Sequence, residues 1–169
     1  MPRLMLLRHG KSDWETTNRG DRNRPLSRRG ERASATMGLV LRKMGERPDR
    51  VITSPALRAE ATATIARLSG GWGSPLEVSE DLYGEGPGAA LDVAARCGGT
   101  TDRLMLVGHE PTWSDLAERI TGGRISVRTA TVLAFDLDTD SWEGAPRSRG
   151  TLAYALHPRM FDQSDWALQ

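Results

Sequence analysis

Short apolar runs alternate with segments of helical spacing along most of this chain, and that alternation restricts its fold more than any other feature. A strand followed by a helix that returns to the next strand favours parallel strand pairing. We therefore predict an α/β fold, a three-layer sandwich in which helices flank a largely parallel central sheet. The predicted strands are 4–7, 50–53, 76–78, 103–107, 131–137 and 152–156, and the predicted helices are 28–44, 54–68, 89–97 and 112–120.

The helix boundaries rest on capping signals. Ser27 is placed as the N-cap of the first helix, and Gly45 follows that helix as a stop signal. Ser54 is expected to cap the second helix, with Pro55 at its first position. Residues 11–26 are predicted to form a long polar loop after the first strand. Loops of that length in a compact domain are usually functional.

The length of 169 residues corresponds to one domain. We predict a single domain over 1–169, with a core at about 3–157 and a loosely held tail. The one cysteine, Cys97, allows no internal disulfide, which favours a reducing compartment. The first apolar run is too short for a signal peptide or a membrane span. We therefore expect a cytoplasmic protein without membrane contact, and because nothing requires an oligomer we expect a monomer.

Charge is unevenly distributed along the chain. The formal net charge is only +1, so we expect no nucleic-acid partner, because such proteins normally carry a clear basic excess. Residues 1–32 nevertheless contain nine Lys and Arg against four Asp and Glu. This concentration favours an anionic ligand near the start of the chain, although a solvated basic face would have the same composition.

Basic and histidine side chains follow three of the predicted strands. Arg8 and His9 follow the first strand, Arg58 begins the helix after the second, and His109 follows the third. Ligands of parallel sheets bind where the carboxyl ends of strands meet, so we expect these four residues to converge. Helix N-termini and guanidinium groups both bind phosphate oxygens. Because arginines repel divalent cations, we predict an oxyanion ligand and no metal.

Each of these residues has a simpler explanation when it is taken alone. An isolated histidine is more often a cap or a satisfied core residue, and a lone helical arginine is usually solvated. Convergence from three separate segments is what favours a site. His157 differs, because no sequence feature connects it with the other residues, so it is expected to be structural or exposed.

Three motifs resemble those of the histidine phosphatase superfamily, also called the phosphoglycerate-mutase-like fold. They are LLRHGKS at 6–12, SPALRAEAT at 54–62 and VGHEP at 107–111, and they occur in the family's order. The compact length and the segment RPLS at 24–27 are most similar to the bacterial phosphohistidine phosphatases. This resemblance implies that Arg24 belongs to the phosphate pocket.

The resemblance also implies a covalent mechanism without a cofactor. His9 would attack phosphorus as a neutral imidazole, and water would hydrolyse the phosphohistidine formed. The other ring nitrogen of His9 then needs an acceptor, for which a backbone carbonyl is expected. Arg8, Arg58 and an imidazolium at His109 would hold the nonbridging oxygens.

The implied substrate is phosphohistidine on a partner protein, such as a phosphorelay or phosphotransfer protein. An imidazole can be protonated before its P–N bond breaks, so a site without a dedicated acid favours phosphohistidine over phosphoserine. Glu80, in a segment similar to the one that holds the acid of the mutases, and nearby Glu85 are the candidate acids. The alternatives are a phosphatase or mutase for a small phosphorylated metabolite, an inactive phospho-ligand binding module, and a structural domain with a surface charge cluster.

Overall fold

A computed structural model describes residues 1–15 and 20–161. Six strands in this part of the chain form one sheet, and helices cover both of its faces. The strands are β1 (Arg3–Arg8), β2 (Arg50–Thr53), β3 (Leu76–Val78), β4 (Arg103–Gly108), β5 (Val132–Leu137) and β6 (Gly150–Leu156), and the helices are α1 (Arg28–Lys43), α2 (Leu57–Gly70), α3 (Gly86–Cys97) and α4 (Thr112–Thr121).

The strands lie in the order β3-β2-β4-β1-β5-β6. β3, β2, β4 and β1 pair in parallel, whereas β5 is antiparallel to both of its neighbours. The predicted largely parallel sheet is confirmed. The direction of β5 could not be predicted, because a buried apolar strand has the same pattern in either direction. We call the side of the sheet where β1, β2 and β4 end the carboxyl edge, and the opposite side the amino edge.

Successive residues of β1 face two separate cores. Leu4 and Leu6 pack with α3 and α4 on one face, and Met5 and Leu7 pack with α1 and α2 on the other. All four side chains are completely buried, which explains why β1 is continuously apolar instead of alternating. Burial of each such side chain contributes about 2 kcal/mol. These two cores form the predicted three-layer sandwich.

Helices α1 and α2 are in close contact on one face of the sheet. A Cβ atom on Gly38 would lie 2.1 Å from the carbonyl oxygen of Ala66, so a glycine is required at this position of α1. The contact fixes α2 against α1. It thereby helps to fix the first turn of α2, which carries Arg58.

The capping predictions have different outcomes. Ser27 is the N-cap of α1, and its side chain accepts a hydrogen bond from the backbone of Gly30 at 3.1 Å, as predicted. The prediction that Ser54 caps α2 is wrong, because Ala56 holds that position and the Ser54 hydroxyl is bonded to His109. Helix α3 also begins earlier than predicted, at Gly86.

The segments on either side of β6 are more ordered than the sequence predicts. The predicted polar loop 138–150 contains a 3-10 helix, Trp142–Arg147, whose first residue is buried. After β6, Pro158–Met160 forms another 3-10 helix that is capped by the side chain of His157. The rest of the predicted tail lies outside the described residues. Across 1–15 and 20–161, the structure contains no helix long and apolar enough to cross a membrane.

Candidate active site

The carboxyl edge of the sheet brings together the residues that the sequence places at strand ends. The imidazole rings of His9 and His109 are 5.2 Å apart between centroids, and Arg58 Nε lies 3.4 Å from His9 Nε2. With Arg8 and Arg24, these residues line a cleft of about 220 Å³. We call it the catalytic cleft because it holds the candidate catalytic residues. The remaining lining residues are Lys11, Ser12, Trp14, Glu110 and Thr129.

Two glycines determine the path of the chain immediately after His9. A Cβ atom on Gly10 would lie 2.7 Å from the carbonyl oxygen of Gly30, and one on Gly30 would lie 2.1 Å from that of Lys11. The Lys11 carbonyl also accepts hydrogen bonds from the backbone and the hydroxyl of Ser27. The loop after β1 is therefore held directly against the start of α1.

His9 is buried, with 7% of its surface exposed, and its two ring nitrogens have different environments. Nδ1 lies 2.7 Å from the carbonyl oxygen of Gly10. A carbonyl can only accept, so Nδ1 carries the proton and Nε2 keeps its lone pair. Burial lowers the pKa of His9 to about 3, and the charges of Arg58 and Arg8 act in the same direction, although the bond to Gly10 opposes them. His9 is therefore neutral at pH 7 and presents a nucleophilic Nε2.

His109 is also neutral in the unliganded protein. Its Nε2 lies 2.7 Å from the hydroxyl of Ser54, and its Nδ1 lies 3.5 Å from Arg58 Nη2. Because a guanidinium only donates, this arrangement places the ring proton on Nε2. Burial and the charge of Arg58 lower the pKa of His109 to about 4. The imidazolium expected from the sequence is therefore not the form at pH 7 before ligand binds, and a phosphate dianion would favour it.

Asp21 holds Arg58 in place and was not identified from the sequence. Arg58 donates to the backbone carbonyl of Asp21 at 2.7 Å and to its carboxylate at 3.0 Å. The same carboxylate accepts from the Tyr83 hydroxyl at 2.8 Å and lies 3.2 Å from Arg24. Desolvation opposes ionisation, but the hydrogen bonds from Tyr83 and Arg58 keep the pKa of Asp21 below its usual value. Asp21 and Arg58 are 37 positions apart, so no local pattern marks their pairing.

Arg8 and Arg24 both keep buried N–H groups without a partner in the described part of the chain. Arg8 donates from Nη1 to the carbonyl of Val127 at 2.7 Å, but its Nε has no acceptor there. Arg24 stacks on Trp14 with 3.6 Å between the guanidinium carbon and the ring centroid. The Nε and Nη1 atoms of Arg24 have no hydrogen-bond acceptor among the described residues. Burial lowers the pKa of both arginines. Unsatisfied buried donors are unfavourable, so their presence in a cleft indicates a site for an anion.

Neither acid suggested by the sequence lines the catalytic cleft. Glu80 is exposed and pairs with Arg22 at 2.6 Å, and Glu85 is exposed just before α3. Within the described residues, the carboxylate that lines the cleft belongs to Glu110. It accepts hydrogen bonds from both the backbone N–H and the hydroxyl of Ser114, and so acts as an acceptor at the start of α4.

The described lining of the cleft includes four cationic side chains, Arg8, Lys11, Arg24 and Arg58. Fixed guanidinium groups of this kind bind phosphate and similar oxyanions through charge-assisted hydrogen bonds. Within 1–15 and 20–161, no three His, Cys, Asp or Glu side chains are grouped so that they could hold a metal ion.

Residues 4–84 match the family model of the histidine phosphatase superfamily (branch 1). The chain belongs to this superfamily. The match includes Arg8, His9, Arg24 and Arg58 but ends before His109, whose assignment to the site rests on the structure. An uncharacterised protein of Picosynechococcus is 31% identical over 136 residues, which cover 77% of this chain and 82% of the relative. Membership of the superfamily indicates a phosphatase.

Solved structures of other superfamily members share the fold. The protein histidine phosphatase SixA complexed with tungstate has a TM-score of 0.77 and 22% identity, over 95% of this chain and 99% of that one. The mycobacterial glucosyl-3-phosphoglycerate phosphatase has a TM-score of 0.63 and 20% identity, over 91% and 98%. These similarities confirm the phosphoglycerate-mutase-like fold predicted from the sequence.

Proposed function

We propose that this protein is a metal-independent phosphatase that hydrolyses phosphohistidine on a partner protein through a covalent intermediate on His9. One observation carries the proposal. His9 is neutral and nucleophilic, and it faces a cationic cleft. Within the described residues, the carboxylate that lines this cleft belongs to Glu110, and it already accepts a hydrogen bond from Ser114. Such a site is suited to a leaving group that needs no carboxylic acid. The fold similarity to the SixA protein histidine phosphatase supports the same substrate class.

In the first step, His9 Nε2 forms a bond to phosphorus while the P–N bond of the substrate breaks. The leaving imidazole carries a proton taken from solvent, so it departs as a neutral ring. The proton on His9 Nδ1 stays in its hydrogen bond to the Gly10 carbonyl. That acceptor stabilises the positive charge which the phosphorylated ring of His9 gains.

The arginines and His109 stabilise charge on the transferring group. Arg58 Nε is next to the attacking nitrogen, and Arg8 and Arg24 belong to the cleft lining. Binding of a dianion favours protonation of His109, which then adds a further donor. Loss of one such donor typically reduces the rate by about 100-fold.

In the second step, water attacks the phosphohistidine and the bond between phosphorus and Nε2 breaks. Because Nδ1 keeps its proton, Nε2 leaves with its electron pair as part of a neutral imidazole. The protons of the attacking water remain with the released phosphate and the solvent. The same hydrogen bond from His9 to Gly10 thus prepares the nucleophile in the first step and the leaving group in the second.

The test compares phosphate release from two substrates in the presence of a metal chelator. One is a protein phosphorylated on histidine, and the other is a phosphoserine peptide. We expect the first to be hydrolysed faster by about 100-fold, since a serine alkoxide leaves poorly without an acid. Equal or faster hydrolysis of phosphoserine would contradict the proposal, and so would loss of activity with the chelator.

The second candidate is a phosphatase or mutase for a small phosphorylated metabolite. The glucosyl-3-phosphoglycerate phosphatase has the same fold. Glu80, the candidate acid for this function, is separated from the cleft by other side chains. Glu80 pairs with Arg22, whose guanidinium is 5.9 Å from the Tyr83 ring, and that ring is 5.6 Å from His109. A panel of phosphate esters tests this function. Turnover of one ester above the phosphohistidine rate, lost in Glu80→Gln and kept in Glu85→Gln, would establish it.

A further inference from the structure

A second, strongly basic cleft opens beside the catalytic cleft. It has a volume of about 490 Å³, and none of the described residues that line it is acidic. Arg8, Lys11 and Thr129 belong to the walls of both clefts, so an occupant of one lies next to the occupant of the other. We call this second space the basic cleft. Its other lining residues are Arg29, Arg128, His157 and Arg159.

The cations of the basic cleft are not neutralised within the described part of the chain. No salt bridge there involves Lys11, Arg29, Arg128 or Arg159. Arg29, Arg128 and Arg159 line this cleft together with His157. Burial and then the charges of Arg128, Arg159 and Arg29 lower the pKa of His157. The chain as a whole has a net charge of only +1, so the excess of cations among the described residues of this cleft is a local feature.

The basic cleft differs from the catalytic cleft in how its cations are held. Lys11, Arg29, Arg128 and Arg159 are all exposed and come from four different segments of the chain. Small phosphorylated ligands are usually enclosed by buried and rigid donors, such as Arg58 in the catalytic cleft. Long, exposed basic side chains are instead typical of surfaces that recognise acidic segments of proteins.

The basic cleft continues into an apolar groove of about 340 Å³. The two spaces share Arg128, His157 and Arg159, and Leu133 and Met160 contribute to the apolar wall. Catalytic cleft, basic cleft and groove therefore form one continuous surface. Such an extended surface suits a polypeptide that passes over the site, with carboxylates next to the phosphoryl group and an apolar side chain beyond them.

We propose that the basic cleft binds acidic side chains that flank the phosphohistidine of the partner protein. Substrate choice then depends on the carboxylates beside the phosphorylated residue. This inference rests on the function proposed above and extends it to the sequence context of the substrate. It also gives a role to His157, which no sequence feature connects with the catalytic residues and which lies in this adjoining cleft.

The test uses two peptides of equal length, each phosphorylated with phosphoramidate on a single central histidine. Asp and Glu flank the histidine in one peptide, and Asn and Gln replace them in the other. We expect kcat/KM to be about fivefold higher for the acidic peptide, mainly through KM, because exposed ion pairs are individually weak. High salt should reduce this preference.

The variant Arg128→Gln/Arg159→Gln should lower the ratio of the two kcat/KM values to about one. Arg47→Gln/Arg147→Gln is the matched control, because it removes the same charge from two exposed arginines that precede β2 and β6, at the amino edge. This control should keep the full preference. Because the measured quantity is a ratio of kcat/KM values for two substrates, any general loss of active protein cancels.

The possible outcomes separate this inference from the proposed function. Hydrolysis of both peptides at equal kcat/KM by the wild type would overturn the inference and leave the proposed function intact. Failure to hydrolyse either peptide would overturn the proposed function. An acidic preference that survives in Arg128→Gln/Arg159→Gln would contradict the assignment to this cleft. Inhibition by fructose 1,6-bisphosphate that depends on Arg128 and Arg159, without any peptide preference, would make the cleft a second phosphate subsite instead.

Discussion

Strand β1 has an arginine at each end, and the two have opposite environments. At the amino edge, Arg3 donates to Asp136 at 2.8 Å and to Glu46 at 2.9 Å, and these bonds raise its pKa. At the carboxyl edge, Arg8 donates to the Val127 carbonyl and forms no salt bridge within the described residues, and burial lowers its pKa.

The same contrast extends to the rest of the two edges. Glu46 also pairs with Arg103 at 3.4 Å, and Arg50 pairs with Glu77. The arginines that begin β1, β2 and β4 at the amino edge therefore each have a carboxylate partner. At the carboxyl edge, Arg8 and several exposed cations have no carboxylate partner among the described residues. Paired charges stabilise the fold, whereas unpaired buried donors reduce stability and provide binding free energy when an anion arrives.

The largest expected effect comes from removing the nucleophile at the carboxyl edge. His9→Asn should reduce phosphohistidine hydrolysis by about 10⁴-fold, because the covalent route is lost and only the binding groups remain. Initial rates of phosphate release at saturating substrate provide the measurement. Glu77→Gln at the amino edge is the control and should remain active. Activity of His9→Asn within tenfold of the wild type would contradict the covalent mechanism.

Substitution of the two arginines of β1 should separate activity from stability. Arg8→Gln should lower kcat by about 100-fold with little loss of stability, because a charged donor to the phosphoryl group disappears. Arg3→Gln should keep kcat but lower the free energy of unfolding by about 2 kcal/mol, because two charged hydrogen-bond acceptors lose their donor. Urea denaturation and steady-state kinetics on both variants test the contrast. Similar effects of the two variants on both quantities would refute it.

Asp21 provides a smaller, indirect effect on catalysis. Asp21→Asn weakens the charge-assisted bonds that orient Arg58, so kcat should fall by about tenfold while KM changes little. Tyr83→Phe removes only the neutral hydrogen bond to the same carboxylate and should have a smaller effect. Steady-state kinetics on the two variants measures the difference. A rise in KM at constant kcat in Asp21→Asn would mean that Asp21 serves substrate binding instead.

Acid should destabilise the protein through the carboxyl edge. Burial lowers the pKa of His9 from 6.5 to about 3, so below pH 6.5 the unfolded chain takes up a proton there and the folded protein does not. Relative to His9→Asn, the wild type should lose up to about 1.4 kcal/mol of unfolding free energy per pH unit between about pH 6 and 4. Urea denaturation across this range measures the difference. Parallel pH curves for the two proteins would show that His9 is not buried in its neutral form.

The sequence predicts the parts of this molecule that depend on local patterns. The continuous apolar run of β1 and the Ser27 cap are signals within a few residues, and both lie where they were predicted. The positions of Arg8, His9, Arg58 and His109 followed from one rule about the carboxyl ends of parallel strands. That rule requires only the order of strands and helices along the chain.

The features that could not be predicted depend on distant partners. Asp21 lies in the polar segment before α1, and α1 and β2 separate it in sequence from Arg58. Ser54 has the local signature of a helix cap, but its hydroxyl is bonded to His109, which follows a different strand. Arg128 and Arg159 flank β5 and β6, and the pairing of these strands brings them together.

Capture of the phosphoryl group on the enzyme tests the central claim most directly. Excess protein is mixed with a peptide that carries radiolabelled phosphohistidine, quenched in alkali within the first turnover, and separated from the peptide by size. We expect a label on the protein that is stable in alkali and labile in acid, located on His9 by mass spectrometry and absent from His9→Asn. Release of phosphate in the first turnover without label on the protein, or label on a different residue, would show that His9 is not the nucleophile.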